Sequence, residues 1–272
     1  MSIVPTSVPT ASTVTSFYVT GGRFQEFEIF NPYRIPIFST KLQSINPEKT
    51  DLLFHLGDFN DPQLTGCGIQ SYKHYSSLLL DSPIPTFMIV GENDWPDCPN
   101  PVSSRIFWNT HFAAMEKGWP NSHLQVERMA NQGSHFSFIK RNVLFFSIEM
   151  YTSSQESDGL TLLRKRNNLD WIRSRVSMHI DDFEAIVILG NDDTSSDDNF
   201  FLDLDLEVLR YLQLPTLYIH KSSKNKNKLA TNQFNTQYIS VLQVAGEVFP
   251  FVKVEVDVSK GSDPFSFMVE DE

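Results

Sequence analysis

The chain has 272 residues, 40% of them hydrophobic and 12% aromatic, and a formal net charge of −11. That length and apolar content can bury a large core in one domain, while the acidic balance argues against a nucleic-acid partner, which needs a basic face. No apolar run approaches the roughly 20 residues of a membrane helix, and the opening MSIVPTSVPTASTVTS lacks the basic start and apolar centre of a signal peptide, so a soluble, unexported chain is expected, cytoplasmic by default.

Residues 1–12 are rich in Ser, Thr and Pro and read as a disordered tail. Val14 to Thr20 is β-branched and aromatic, a strand closed by Gly21 and Gly22. Residues 31–49 are interrupted by prolines and read as a loop with a short helix over 39–45. The next stretch, DLLFHLGDFND from Asp51 to Asp61, organises the rest. An apolar run over Leu52 to Leu56 has the pattern of a buried parallel strand, Gly57 permits a tight exit, and Asp58 lands at the carboxyl edge of the sheet, where open α/β folds bind ligands. Ile69 to Leu80 is helical, stopped by Ser82, Pro83 and Pro85, and TFMIVGENDW from Thr86 repeats the strand pattern, presenting Glu92, Asn93 and Asp94 at the same edge. A helix over 102–117 follows, opened by Pro99 and Pro101 and ended by Gly118 and Pro120.

Farther on, 136–139 and 142–149 read as a hairpin about a Lys140-Arg141 turn. The segment 160–179 is a helix with Leu163, Leu169, Ile172 and Val176 as its apolar stripe. Ala185 to Leu189 is a buried strand ending in Gly190, Asn191, Asp192 and Asp193; Phe200 to Leu212 is a helix and 216–220 a strand. Residues 237–245 and 252–258 alternate as an antiparallel pair, and 261–272 read as a C-terminal tail. The sum is one domain over 13–260 in which βαβ units feed hairpins, with two packed sheets and helices outside.

Cys67 and Cys98 are too few for a disulfide scaffold, yet they lie in the two loops that follow the Asp51 and Thr86 strands, so a bridge between them is geometrically reasonable. Such a bridge argues for an extracytoplasmic, oxidising compartment and conflicts with the missing signal. Among the histidines, His55 reads as a core residue and His135 could face the ligand edge; His74, His111, His123 and His179 have no ligand spacing. Trp95 and Trp171 read as anchors in loop or core.

The order and spacing of these blocks resemble the calcineurin-like metallophosphoesterases. GENDWPDCPNP from Gly91 resembles a branch carrying a GDNEW-x-DC block, and NLDWI from Asn168 resembles a helix that many members share. The resemblance spans about 14–258. It implies a four-layer α/β/β/α sandwich, two mixed sheets flanked by helices, with two metal ions on successive strand ends that hold a phosphoryl group and activate water. Asp58 matches the bridging carboxylate and Asn93 the ligand amide, with Glu92 as the alternative alignment; no catalytic histidine stands in that block. Gly22 and Phe24 occupy the first two ligand positions, Gly190-Asn191 replaces a Gly-His strand end, and His220-Lys221-Ser222-Ser223-Lys224 replaces the last His-containing block.

One oxygen-rich site remains conceivable from Asp58, Asn93 and one of Asn191, Asp192 or Asp193, with His220 as a further donor. Such a site suits one Mg²⁺, Ca²⁺ or Mn²⁺ ion better than Zn²⁺ or Fe, and a fully degenerate site holds none. The same residues cap loops and helix starts in many proteins. Lys221 and Lys224, in KSSKNKNK, could bind phosphate, form a solvated loop or pair with the acidic run 192–198. Two functions follow: a phosphoesterase-fold protein with hydrolysis lost or weak and a binding role left, or a phosphoesterase with an altered, single-metal site. A phosphorylated small molecule or a protein would be the partner, its identity open.

Overall fold

The computed structural model describes residues 13–22, 34–130, 132–151, 157–192, 199–222, 227–231, 234, 236–246 and 251–269. The expected tail at 1–12 lies outside them. Among the described residues two mixed sheets pack face to face. The first has five strands in the order β12-β11-β1-β2-β3, where β1 is Val14–Thr20, β2 Leu52–His55, β3 Thr86–Met88, β11 Val252–Asp257 and β12 Phe265–Val269. The second has seven, β4-β5-β6-β7-β8-β10-β9: Glu127–Met129, Gln132–Lys140, Val143–Ser147, Ala185–Leu189, Thr216–Ser222, Ile239–Ala245 and Lys228–Ala230 in that spatial order. Among the described residues the helices are α1 Arg34–Ser44, α2 Pro62–Thr65, α3 Ile69–Leu80, α4 Pro101–His111, α5 Asp158–Met178 and one more. A sixth, α6, begins as Phe200–Leu204, widens to a π-turn over Asp205–Leu209 and closes over Arg210–Leu212.

The layers follow from strand periodicity, which sends neighbouring side chains to opposite faces. Phe17, Leu52, Phe54, Phe87, Phe138, Phe145, Leu217 and Ile219 face the space between the sheets, whereas Leu53 and Met88 join Tyr72, Tyr75 and Trp108 under α3 and α4. Phe146, Ile186, Ile188 and Tyr218 face α5 and α6. The inter-sheet core is a stack of rings, with Phe54 and Phe87 at 5.4 Å, Phe87 and Phe138 at 5.0 Å, and Phe138 and Phe145 at 5.0 Å. The result is the α/β/β/α sandwich.

Several boundaries differ from the sequence reading, each for a local reason. The hairpin turns at Arg141 and Asn142, not Lys140 and Arg141; both have positive φ, 46° and 62°, as a two-residue hairpin turn matching the strand twist requires. The helix read over 102–117 stops at His111. Phe112 leaves the helical region, with its ring 5.1 Å from that of Phe59, and a 3₁₀ turn over Met115–Gly118 follows. On α5, Leu163 is 56% exposed, and the neighbouring Arg164 takes the buried place expected of it. Arg164 is held there by stacking on Tyr151 at 3.8 Å and donating to the Tyr151 carbonyl at 2.6 Å. The segments read as an antiparallel pair at the end of the chain part company: β10 lies parallel to β8 in the large sheet, and β11 lies antiparallel to β1 in the small one. Alternation alone does not say which sheet a strand joins. The stretch read as a tail contributes β12, antiparallel to β11.

Candidate functional site

Parallel strands β2, β7 and β8 end side by side with β3 and β10, and their exits form one polar edge. His55 closes β2, and its Nδ1 accepts the Gly57 N–H at 3.1 Å, which leaves the proton of a neutral ring on Nε2. His55 is fully buried, and that burial holds its pKa down to about 3. The chain then turns through Gly57 and Asp58, with φ of 81° and 59°. A side chain at Gly57 would begin 2.5 Å from the Gly91 nitrogen, so only glycine fits there.

The turn is clamped by Asp94. Its carboxylate accepts the N–H groups of Asp58 at 3.0 Å, Phe59 at 2.9 Å and Gly91 at 2.8 Å. Burial and the charge of Asp58 push the Asp94 pKa up, against these three donors. The Asp94 carbonyl in turn accepts from the Tyr72 hydroxyl and from Asn60. Sequence reading placed Asp94 at the edge but not as its organiser; the signal was Gly91-x-x-Asp94, whose spacing lets a carboxylate reach back to the N–H three residues earlier.

Asp58 is 1% exposed. Its Oδ1 accepts from the Asn93 backbone at 3.0 Å and from the Asn93 side chain at 3.3 Å, while its Oδ2 accepts from the ammonium of Lys221. Lys221 reaches it because odd-numbered residues of β8 (Leu217, Ile219, Lys221) face the other sheet. Gly246 at the end of β10 makes the room: a Cβ there would lie 2.5 Å from Cγ of Lys221. No sequence signal pointed to Gly246.

The other expected ligands lie elsewhere. His220, one residue before Lys221, faces the helix layer, where it is buried, stacked on Tyr218 at 5.3 Å, with Nδ1 2.8 Å from the Lys221 carbonyl oxygen. Asn191 is a tie between the sheets, its side-chain N–H₂ donating to the Leu56 carbonyl at 2.6 Å. Asp192 is half-buried near the edge; its backbone accepts from Tyr218 and donates to Met150. Together with Asp58 and Asp97 it raises the pKa of Glu92, after the larger effect of burial. At Gly22, φ is 101° and a Cβ would sit 1.4 Å from the Gly246 carbonyl oxygen, so no ligand side chain fits in this backbone. Phe24, Asp193 and Lys224 lie outside the described residues. His135 is buried on β5, bonded to Asn168 at 2.7 Å, and Asn168 also donates to the Glu149 carbonyl at 2.9 Å, so the NLDWI block joins α5 to the large sheet. Cys67 and Cys98 are joined in a disulfide that ties the loops after β2 and β3.

These residues do not fit a resident two-metal centre. Asp58 has an ammonium on one oxygen and two amide donors on the other, and among the described residues no group of three His, Cys, Asp or Glu side chains converges for a cation. A cleft of about 430 Å³ borders the loop that follows Asp94, lined by Trp95, Arg105, Glu149, Tyr151 and Arg164 among others.

No protein family matches the chain by sequence, and no curated protein does. Among solved structures it is similar to one described as GAP50, the anchor in the inner membrane complex of Plasmodium, at 13% identity and a TM-score of 0.55, covering 94% of this chain and 84% of that one. It is also similar to TT1561 of Thermus thermophilus at 10% identity and a TM-score of 0.47, covering 94% and 99%. The likeness concerns the fold alone, and the two-sheet sandwich is consistent with a phosphoesterase-like fold. No helix among the described residues is long and apolar enough to cross a membrane.

Proposed function

We propose that this chain is a phosphoesterase-like scaffold whose hydrolytic centre has been replaced by an internal ion pair, leaving a binding role toward a phosphorylated small molecule or a protein. The observation that carries the reading is Lys221 on Asp58. A bridging carboxylate in a two-metal site must face cations that polarise a phosphoryl oxygen and lower the pKa of water. An ammonium neutralises the carboxylate but offers no open coordination position. Gly22 and Gly246, which fill the space of a further ligand, support the same reading. The similar Plasmodium protein is described as an anchor, a binding role. The Cys67–Cys98 bridge favours an oxidising compartment.

A second reading has one observation in its favour: Asp58, Asp97, Asp192 and Lys221 all lie within electrostatic reach of Glu92. With Lys221 swung to solvent, Asp58, Asn93 and Asp192 would hold one Mg²⁺, Ca²⁺ or Mn²⁺ ion, and the freed ammonium would meet a phosphate. His220 faces away and takes no part. One experiment separates the two readings. The chain and its Lys221→Ala and Asp58→Ala variants are dialysed against Mn²⁺, Mg²⁺, Ca²⁺ or Zn²⁺, bound metal is quantified, and turnover of an aryl phosphate is assayed. The first reading expects no stoichiometric metal in the parent chain and turnover equal to that of Asp58→Ala. Bound metal with turnover abolished in Asp58→Ala overturns it.

A further inference from the structure

The cleft beside the Asp94 loop is built from chemistry that the strand-end edge does not use. It lies between the loop after β3, the start of α4, the end of β6 and the first turns of α5, at the carboxyl ends of the strands. Two aromatic rings stand in it, Trp95 and Tyr151, edge to face at 5.9 Å. Each carries a guanidinium: Arg105 stacks over Trp95 at 5.1 Å and Arg164 over Tyr151 at 3.8 Å. Arg105 is half-buried and, among the described residues, has no carboxylate within ion-pair distance. Stacking uses the flat face of a guanidinium and leaves the N–H edge of Arg105 able to grip an oxyanion, while Arg164, which donates to the Tyr151 carbonyl, adds its charge to the wall. Glu149 is buried at the wall, held by the Ser134 hydroxyl, and the side-chain oxygen of Gln132 is buried with no hydrogen-bond partner among the described residues. Leu160 and Leu163, 55% and 56% exposed, form an apolar rim that does nothing for the core.

Among the described residues that line it, two cations stand against one carboxylate, a local exception in a chain of net charge −11. A volume of about 430 Å³ is that of a small-molecule site. We propose that the cleft binds a small organic oxyanion bearing a planar ring, the oxyanion gripped by Arg105 with the charge of Arg164 nearby, and the ring laid against Trp95 and the Leu160–Leu163 rim. The proposal gives the binding role inferred above a location, but it requires no metal and stands apart from the Lys221–Asp58 pair.

The test uses the full chain in EDTA, with titrations followed by calorimetry and tryptophan fluorescence. Phenylphosphonate, which has no ester to hydrolyse, and benzoate probe the ring with either oxyanion; methylphosphonate lacks the ring and benzyl alcohol the charge. Saturable binding of phenylphosphonate or benzoate is expected, at least about tenfold tighter than the two truncated probes, and Arg105→Gln should weaken it about tenfold with an unchanged melting temperature, because among the described residues Arg105 makes no hydrogen bond. The stronger of the two ring probes tells phosphonate from carboxylate preference. No saturation by either ring probe, equal binding of methylphosphonate, or equal affinity in Arg105→Gln overturns the proposal. Metal-dependent turnover in the assay described above would remove the reading of lost hydrolysis without touching this result, which is obtained with metal chelated.

Discussion

Removing the ammonium from Asp58 should reveal how much the strand-end edge depends on it. In Lys221→Met the stem is replaced at nearly equal volume, so packing beside Gly246 is kept while the charge is lost. Asp58 is then left with a buried carboxylate, 1% exposed, supported by the two Asn93 donors alone. Deleting one partner of a buried pair costs about 3–5 kcal/mol when both groups are dry. The Lys221 side chain is 22% exposed, so water can reach the vacated position and the expected loss falls to about 2–3 kcal/mol. For a chain of this size that lowers the melting temperature by about 4–12 °C. Asp58→Asn is the complementary change; asparagine tolerates the φ of 59° that this turn needs, and the freed lysine can extend into solvent, so its cost stays near about 1 kcal/mol. The double variant buries no unpaired charge and should be no less stable than Asp58→Asn alone, a coupling of about 2 kcal/mol in a urea-denaturation cycle. Additive single losses, with coupling below about 0.5 kcal/mol, would refute the claim that these two charges hold each other in place.

Acid should destabilise the fold through His55. Its folded pKa, held down to about 3 by burial, lies below the ordinary 6.5, so the unfolded chain binds the extra proton first. The contribution of His55 is therefore fully present above pH 6.5 and is lost as pH drops toward 3, by up to about 4–5 kcal/mol, and His55→Asn, which keeps an acceptor for the Gly57 N–H, should remove that part of the slope when its denaturation midpoints are compared with the parent's across a pH series. Gly22→Asp, which would restore a ligand residue, should cost at least about 3 kcal/mol, because the new Cβ meets the Gly246 carbonyl in a left-handed backbone; a midpoint equal to the parent's would show that the two glycines do not touch. Opening the loop between Cys67 and Cys98, separated by 31 residues, by a double Cys→Ser change should cost about 3–4 kcal/mol, and a thermal midpoint unmoved by reductant would contradict the bridge.

The fold was legible because its signals are local. DLLFHLG and TFMIVG announce buried strands by their apolar runs and glycine exits, and Asp58 and Asn93 indeed meet at one edge. What escaped depends on pairings between distant segments. Lys221 read as a possible phosphate ligand in a lysine-rich stretch, and nothing nearby in sequence says that β8 lies against the exit of β2 with its odd residues inward. The same blindness hid Gly246, whose role appears only once β10 lies beside β8, and assigned 237–245 and 252–258 to each other when each had a stronger partner elsewhere. Leu163 and Arg164 show the limit of helical periodicity: a stripe predicts which face is buried, but a guanidinium with an aromatic ring beneath it can displace the leucine one position earlier.

Sheet edges carry unpaired N–H and C=O groups, and an open edge invites another strand. Among the described residues, three of the four edges end in strands of three residues, β3, β4 and β9, too short to template much. Exposure to added strands is thus concentrated on β12, five residues without a charge, with Met268 57% exposed. The protection of this sandwich against edge-to-edge growth therefore rests on brevity at three margins and leaves β12 as the margin most open to an added strand.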